Sequence, residues 1–169
     1  MVALPAYAIG TAPSAADFAW PITSRPIAEA YQGTAQTGIA TAVWTAVTLD
    51  TAVLDRDGGF TLPTSSYVMG LTPGIYAVTA QVAFASGAAA GLAAKLVVNG
   101  VDVAGSLIKA SSPGGAAVTV VIPPVMVRTL RAVDIIQLSC WQTTGSPLNL
   151  ASTGGQRSQK RIEWEGLAP

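Results

Sequence analysis

Residues 73–84 read PGIYAVTAQVAF, and their alternation predicts a β-strand. Side chains alternate across a strand, so a period of two places one set of residues against a core. One set is entirely apolar: Tyr76, Val78, Ala80, Val82 and Phe84. The other set carries no charge: Ile75, Ala77, Thr79, Gln81 and Ala83. A solvated strand face usually carries Lys, Glu or Arg, so this second face is expected to be covered.

The composition points to self-association. Half of the 169 residues are hydrophobic and 11% are charged, against about 25% in an ordinary soluble domain. Three long stretches, 58–94, 110–127 and 135–156, contain no Asp, Glu, Lys or Arg. Large uncharged surfaces are typical of interfaces, which favours burial against identical copies. The alternative is a surface kept soluble by Ser, Thr, Gln and Asn.

Several functions are disfavoured by what the chain contains. Nine basic residues balance nine acidic ones, and without a basic patch we expect no nucleic-acid binding. No apolar run is long enough for a membrane span, and the start MVALPAYAIG lacks the basic residue of a signal peptide. There is no histidine, so an enzyme is disfavoured and no cofactor or metal is expected. The single Cys140 lies in IIQLSCW and is expected to be a buried, inert thiol.

The chain divides into an N-terminal arm, residues 1–38, and a β domain, residues 39–169. The first segment holds four prolines and no sustained period, which favours an extended conformation. Its apolar members are too many for a solvated linker, so we expect the arm to dock on another protein; the alternative is a disordered tail. The proposed anchors are Phe18, Trp20, Ile22 and Tyr31.

The second segment reads as strand, turn, strand throughout. Asn99-Gly100 is a strong hairpin signal. Pro123-Pro124 removes two donors from a strand-like stretch and is expected at an edge or a bend. Eight or more strands at this spacing predict an all-β sandwich or barrel.

Four segments together resemble the C1q/TNF-like jelly-roll family: FTLPTSSYVMGLTPGIYAVTAQVAF, LVVNG, LRAVDIIQLSCWQTTG and IEWEGL. Three others, RPIAEAYQGTAQ, VWTAVTLDT and YAVTAQVAF, resemble the C1q-like small virion proteins of tailed bacteriophages of actinobacteria. The resemblance implies a jelly-roll β-sandwich that forms a homotrimer, with one sheet of each subunit facing the threefold axis. It further implies a virion protein, either tail-associated or head-decorating, assembled in the host cytoplasm and not secreted.

In that fold the uncharged residues of the opening strand, Ala77, Thr79, Gln81 and Ala83, are the expected trimer interface. Small side chains would allow close approach around the axis. The alternatives are that this face is solvated or lies under the arm of the same chain.

Other candidate residues have structural as well as functional explanations. Asp50, Asp55 and Asp57 favour a turn capped by carboxylates over a calcium site. Trp44, Trp141 and Trp164 are expected in the core or the trimer interface, with a sugar-stacking platform as the alternative. The polar loop GSPLNLASTGGQ follows Trp141. With Trp141, Thr144 and Asn149 it would serve a second hypothesis, a tail-borne module that binds a receptor or host surface glycan.

Overall fold

The computed structural model describes residues 26–56, 58–60, 66–68, 72–129, 134–153 and 155–166. Within these residues the secondary structure consists of strands. No helix in the described chain is long and apolar enough to cross a membrane. The strands, in chain order, are β1 (Ile27–Tyr31), β2 (Thr45–Ala46), β3 (Thr51–Asp55), β4 (Ser66–Val68), β5 (Gly74–Phe84), β6 (Ala90–Val98), β7 (Val101–Asp102), β8 (Ile108–Ser112), β9 (Val118–Thr129), β10 (Ile135–Gln142), β11 (Ser152–Thr153), β12 (Gln156–Arg157) and β13 (Gln159–Gly166).

The strands form a two-layered sandwich, which confirms the predicted all-β jelly roll. One sheet has five strands in the order β3-β1-β13-β5-β9. The other has six: β2, β10, β6 and β7 follow one another, β4 also pairs with β10, and β8 pairs with β6. Neighbouring strands of the five-stranded sheet run antiparallel. A small β11-β12 ribbon lies outside both sheets.

The opening strand, β5, lies between β13 and β9 in the five-stranded sheet. Its burial alternates as predicted, and the apolar set from Tyr76 to Phe84 is buried in the core. The facing sheet supplies the other half of the core. Its main buried members there are Leu92, Ala94, Leu96, Ile136, Leu138 and Cys140.

Strand β1 corrects the predicted boundary of the N-terminal arm. It pairs with β13 on one side and β3 on the other, so residues 27–31 belong to the domain. Ala28 and Ala30 are buried in the core, and the ring of Tyr31 lies 3.7 Å from the guanidinium of Arg157. Tyr31 is therefore a residue of the sheet. The remaining proposed anchors, Phe18, Trp20 and Ile22, lie outside the described residues.

Two turn predictions are confirmed. Asn99 and Gly100 join β6 to β7, and both have positive φ, 49° and 83°. Two positive φ values in succession are what a type I′ hairpin turn requires, and Asn-Gly is the preferred pair for it. Pro123 and Pro124 lie in β9, the last strand of its sheet, at an irregularity where the register shifts opposite Thr79. The ladder therefore needs no N–H donor from either proline.

Candidate interaction surfaces

The face of the five-stranded sheet that points away from the core contains three of the four predicted interface residues. Ala77, Thr79 and Gln81 are half-buried and alternate with buried neighbours. Ala83 is only 1% exposed. Its N–H donates to Ser158 Oγ at 3.2 Å, and its carbonyl accepts from Ala151 N at 2.8 Å. Ala83 is covered by its own chain, so it cannot line an interface.

We call this surface the β5 face, and its residues are Ala77, Thr79 and Gln81 with the outward side chains of β9, β13 and β1. Strand β9 adds the apolar part. Val121 is 56% exposed and Met126 64% exposed, and Pro123 and Pro124 are also exposed. The prolines and Thr79 border a cleft of about 330 Å³. The face is therefore more apolar than the β5 sequence indicated, because the larger exposed residues come from its neighbour.

The part of the β5 face that β13 and β1 form is charged. Arg161 on β13 pairs with Glu29 on β1 at 3.3 Å and with Glu163 at 3.4 Å. Gln81 Nε2 donates to the carbonyl oxygen of Arg157 at 2.8 Å, so one of its amide protons is already used within the chain. Exposed ion pairs contribute little to stability. They do leave the β9 side as the apolar portion of this face.

In the predicted ligand loop, the side chains of Thr144 and Asn149 form hydrogen bonds within the chain. Thr144 Oγ1 lies 2.6 Å from the carbonyl oxygen of Ser146 and 2.8 Å from Gln142 Oε1. Asn149 Oδ1 accepts from Gly38 N at 3.1 Å. These contacts hold the loop in shape. Trp141 lies on β10 and not at the loop tip.

Trp141 instead contacts Trp44 on the outward side of the six-stranded sheet. Their ring centroids are 6.4 Å apart and the rings are tilted by 33°. The third candidate, Trp164, is buried in the core, so the three tryptophans serve different places. The two surface rings border a second cleft of about 330 Å³, which we call the tryptophan cleft: Trp44, Ala93, Lys95, Asp102, Leu107, Lys109 and Trp141.

Sequence reasoning missed the polar half of the tryptophan cleft. Lys95 Nζ lies 4.2 Å from the Trp44 ring centroid and donates to both carboxylate oxygens of Asp102, at 2.6 and 2.8 Å. The Lys95–Asp102 pair could have been predicted, because the Asn99-Gly100 hairpin implies that residues 95 and 102 lie on neighbouring strands. The contact with Trp44 depends on a strand pairing that no local pattern reveals.

The carboxylates of Asp50 and Asp55 accept hydrogen bonds from backbone N–H groups of nearby turns. Asp55 accepts from Gly59 N and Phe60 N, each at 2.9 Å, which confirms the predicted carboxylate-capped turn. Asp50 accepts from Gly33 N at 2.5 Å and Thr34 N at 2.8 Å. Burial raises the Asp50 pKa, but these bonds and two from hydroxyl groups outweigh it and lower the pKa below its ordinary value. Among the described residues, no three His, Cys, Asp or Glu side chains are grouped to hold a metal; Asp57 lies outside them.

The prediction for Cys140 is confirmed. Its thiol is fully buried between the sheets. Burial raises the pKa of this thiol to about 12, so the reactive thiolate is scarce at neutral pH.

Comparison with known proteins places the fold among C1q and TNF-type jelly rolls. The globular domain of zebrafish complement 1qA superposes with a TM-score of 0.52 at 15% identity, over 81% of this chain and 94% of that domain. Murine APRIL gives a TM-score of 0.58 at 15% identity, over 82% and 98%. The Eiger TNF of S. frugiperda gives 0.57 at 12% identity, over 86% and 95%. No protein-family model and no curated protein sequence matches the chain. The fold is therefore a C1q/TNF-like jelly roll.

Proposed function

We propose that this protein is a non-enzymatic structural component of a bacteriophage particle, which self-associates as a homotrimer through the β5 face. The observation that carries the proposal is the exposure of Val121 and Met126 beside small, uncharged residues of β5. Burying one such side chain fully contributes about 1.5–3 kcal/mol. In a closed symmetric assembly each of these contacts is made once per subunit.

We propose a trimer for the following reason. The resemblance of the sequence to the C1q/TNF-like family implied a homotrimer, and the fold is a C1q/TNF-like jelly roll. The apolar β9 side of the β5 face lies beside charged groups of β13 and β1, namely Arg161, Glu29 and Glu163. Because β9 is the edge strand and β13 the central strand of this sheet, the apolar and charged parts lie side by side on the face, and protein interfaces combine both kinds of group.

The virion role rests on the resemblance of three segments, residues 25–36, 43–51 and 76–84, to small phage virion proteins. Those segments contain all of β1, then β2, then β5 from its third residue to its end. They therefore lie in both sheets of the sandwich. Attachment to the particle, at head or tail, is assigned to the segment before β1, with Phe18, Trp20 and Ile22 as anchors. A trimer would carry three copies of the segment. It could therefore bind the particle firmly even if each single contact is weak.

The test is the protein content of purified particles assembled with the full chain or with a chain lacking residues 2–25. The deletion stops before Ile27, because removing residues up to 38 would take away a strand paired on both sides. We expect the shortened protein to fold and to self-associate, and to be absent from particles. A second variant carries Phe18→Ala and Trp20→Ala in the full chain. It should be incorporated into particles at a reduced level. Normal incorporation of the shortened protein would overturn the attachment proposal.

A further inference from the structure

The tryptophan cleft has a shape set by the register of three strands. Trp141 on β10 pairs with Ala93 on β6, and Ala93 pairs with Lys109 on β8. The three residues thus form one row across the sheet, with the smallest in the middle. The outer two backbones are about 10 Å apart, two strand spacings. The result is a hollow of about 330 Å³ between an indole and an ammonium group, which is within the size range of small-ligand sites.

One wall of this hollow is aromatic and accessible. Trp44 is 39% exposed, and its ring lies beside that of Trp141 with a centroid separation of 6.4 Å. Leu107 adds an exposed apolar side chain to the lining. Flat aromatic faces with weak negative potential pack well against the C–H-rich face of a ring. A pyranose has such a face.

The polar groups of the cleft are arranged unequally. Lys95 is largely buried and held by Asp102 and the Trp44 ring. The Asp102 carboxylate is mostly exposed, and it keeps acceptor positions for hydroxyl groups. Lys109 is exposed and forms no salt bridge with the carboxylates of the described chain. With two ammonium groups and one carboxylate, the cleft carries a net positive charge with Lys109 as the free cation.

We propose that the tryptophan cleft binds an acidic saccharide. The sugar ring stacks on Trp141 and Trp44, a hydroxyl donates to Asp102, and the sugar carboxylate pairs with Lys109. A neutral sugar would leave Lys109 unused. A polyanion such as a nucleic acid would meet the exposed Asp102 carboxylate and an overall neutral protein, without the row of cations that phosphate binding needs.

The site is complete within one subunit and lies on the six-stranded sheet, whereas the β5 face belongs to the other sheet. Ligand binding is therefore independent of self-association and of any attachment to a particle. Failure of either proposal leaves the other standing.

The test is binding of the full-length protein to a panel of uronate and sialate oligosaccharides, their methyl esters and their neutral parents, with a thymidine oligonucleotide beside them. Calorimetry at millimolar sugar supplies the affinities. The methyl ester removes the negative charge and adds one methyl group, and the rest of the sugar is the same. We expect at least one acid to bind about tenfold more tightly than its ester, a difference of about 1.4 kcal/mol, because the ester cannot form the charge-assisted hydrogen bond with Lys109.

Three variants locate the binding. Lys109→Met should remove the preference for the acid over the ester, and Lys109→Arg should keep it. Trp141→Ala should weaken acid and ester alike. Lys109 is exposed, so its variants report on binding even if Trp141→Ala disturbs folding. The proposal is overturned if no acidic saccharide binds, if acid and ester bind equally, if Lys109→Met leaves the preference intact, or if the oligonucleotide binds more tightly than every sugar.

Discussion

The side-chain nitrogen Nζ of Lys160 donates a hydrogen bond to the carbonyl oxygen of Ile136 at 2.6 Å, from one sheet of the sandwich to the other. Lys160 lies on β13 and is fully buried, beside Ala30 and Ala80 on the neighbouring strands. Removal from water disfavours the charged form, so burial lowers the pKa of this lysine well below its ordinary value of 10.5. The core thus contains a group whose protonation opposes folding.

This predicts a specific dependence of stability on pH. Between the lowered pKa and 10.5, the unfolded chain holds a proton on Lys160 that the folded protein does not hold. Stability therefore rises with pH across that window, by up to about 1.4 kcal/mol per pH unit, and is constant below the lowered pKa. Lys160→Met should remove this slope and be at least as stable as the original protein at neutral pH.

The measurement is the free energy of unfolding in urea for both proteins from neutral pH to above 10.5. Cys140, whose thiol pKa is raised, makes a contribution of the opposite sign above its ordinary value of 9.0. It is present in both proteins and cancels in their difference. The exposed Lys109→Met is the control and should follow the original profile. Parallel profiles for Lys160→Met and the original would contradict this interpretation.

Gly74, at the start of β5, is predicted to tolerate no side chain. A Cβ there would overlap the indole nitrogen of Trp164 and the carbonyl oxygen of Gly166, and the backbone oxygen cannot move aside freely. Gly74→Ala should therefore destabilise the protein by about 1–3 kcal/mol. Gly166→Ala is the matched control, since its Cβ would have no atom of the described residues within 4 Å. The urea midpoint should fall for the first variant alone, with an unchanged slope; equal midpoints would refute the overlap.

Asp50 is predicted to stabilise the turn after β1 only while it is ionised. Its carboxylate accepts from two backbone N–H groups, and its lowered pKa shows that the ionised form is favoured in the folded protein. This stabilisation is complete above the ordinary value of 3.8 and is lost as pH falls through the lowered pKa. Asp50→Asn should thus be less stable at neutral pH, by about 1 kcal/mol. The gap between the two unfolding curves should close in acid; a constant gap would count against the role of the charge.

The local sequence pattern was enough to predict two kinds of feature: strands in which large apolar residues occupy alternate positions, and tight turns. Strand β5 and the Asn99-Gly100 hairpin are examples, and both were predicted correctly. Strand β1 was missed because its buried residues, Ala28 and Ala30, are small and give a weak period. Lys160 was missed because a lysine in a strand ordinarily faces water, although it shares a face with Ile162 and Trp164.

The candidate surfaces were predictable only in part. Ala77 and Thr79 could be placed on an outward face from β5 alone. Val121 and Met126 join them through the pairing of β5 with β9, which places Val121 opposite Gln81 and Met126 opposite Ala77, 40 and 49 positions apart in the sequence. The tryptophan cleft likewise draws on five separate segments of the chain. Long-range strand pairing is decided by the whole core, so no single stretch carries the signal.

The most direct test of the central claim, that identical subunits cover the β5 face, is the mass of the protein in solution by native mass spectrometry. We expect the original protein to have three times the mass of one chain. Val121→Glu, at a 56% exposed position on β9, should give single copies; Val101→Glu, at a 69% exposed position on β7, should remain a trimer. A single copy for the original protein at every concentration, or an intact trimer for Val121→Glu, would contradict the account.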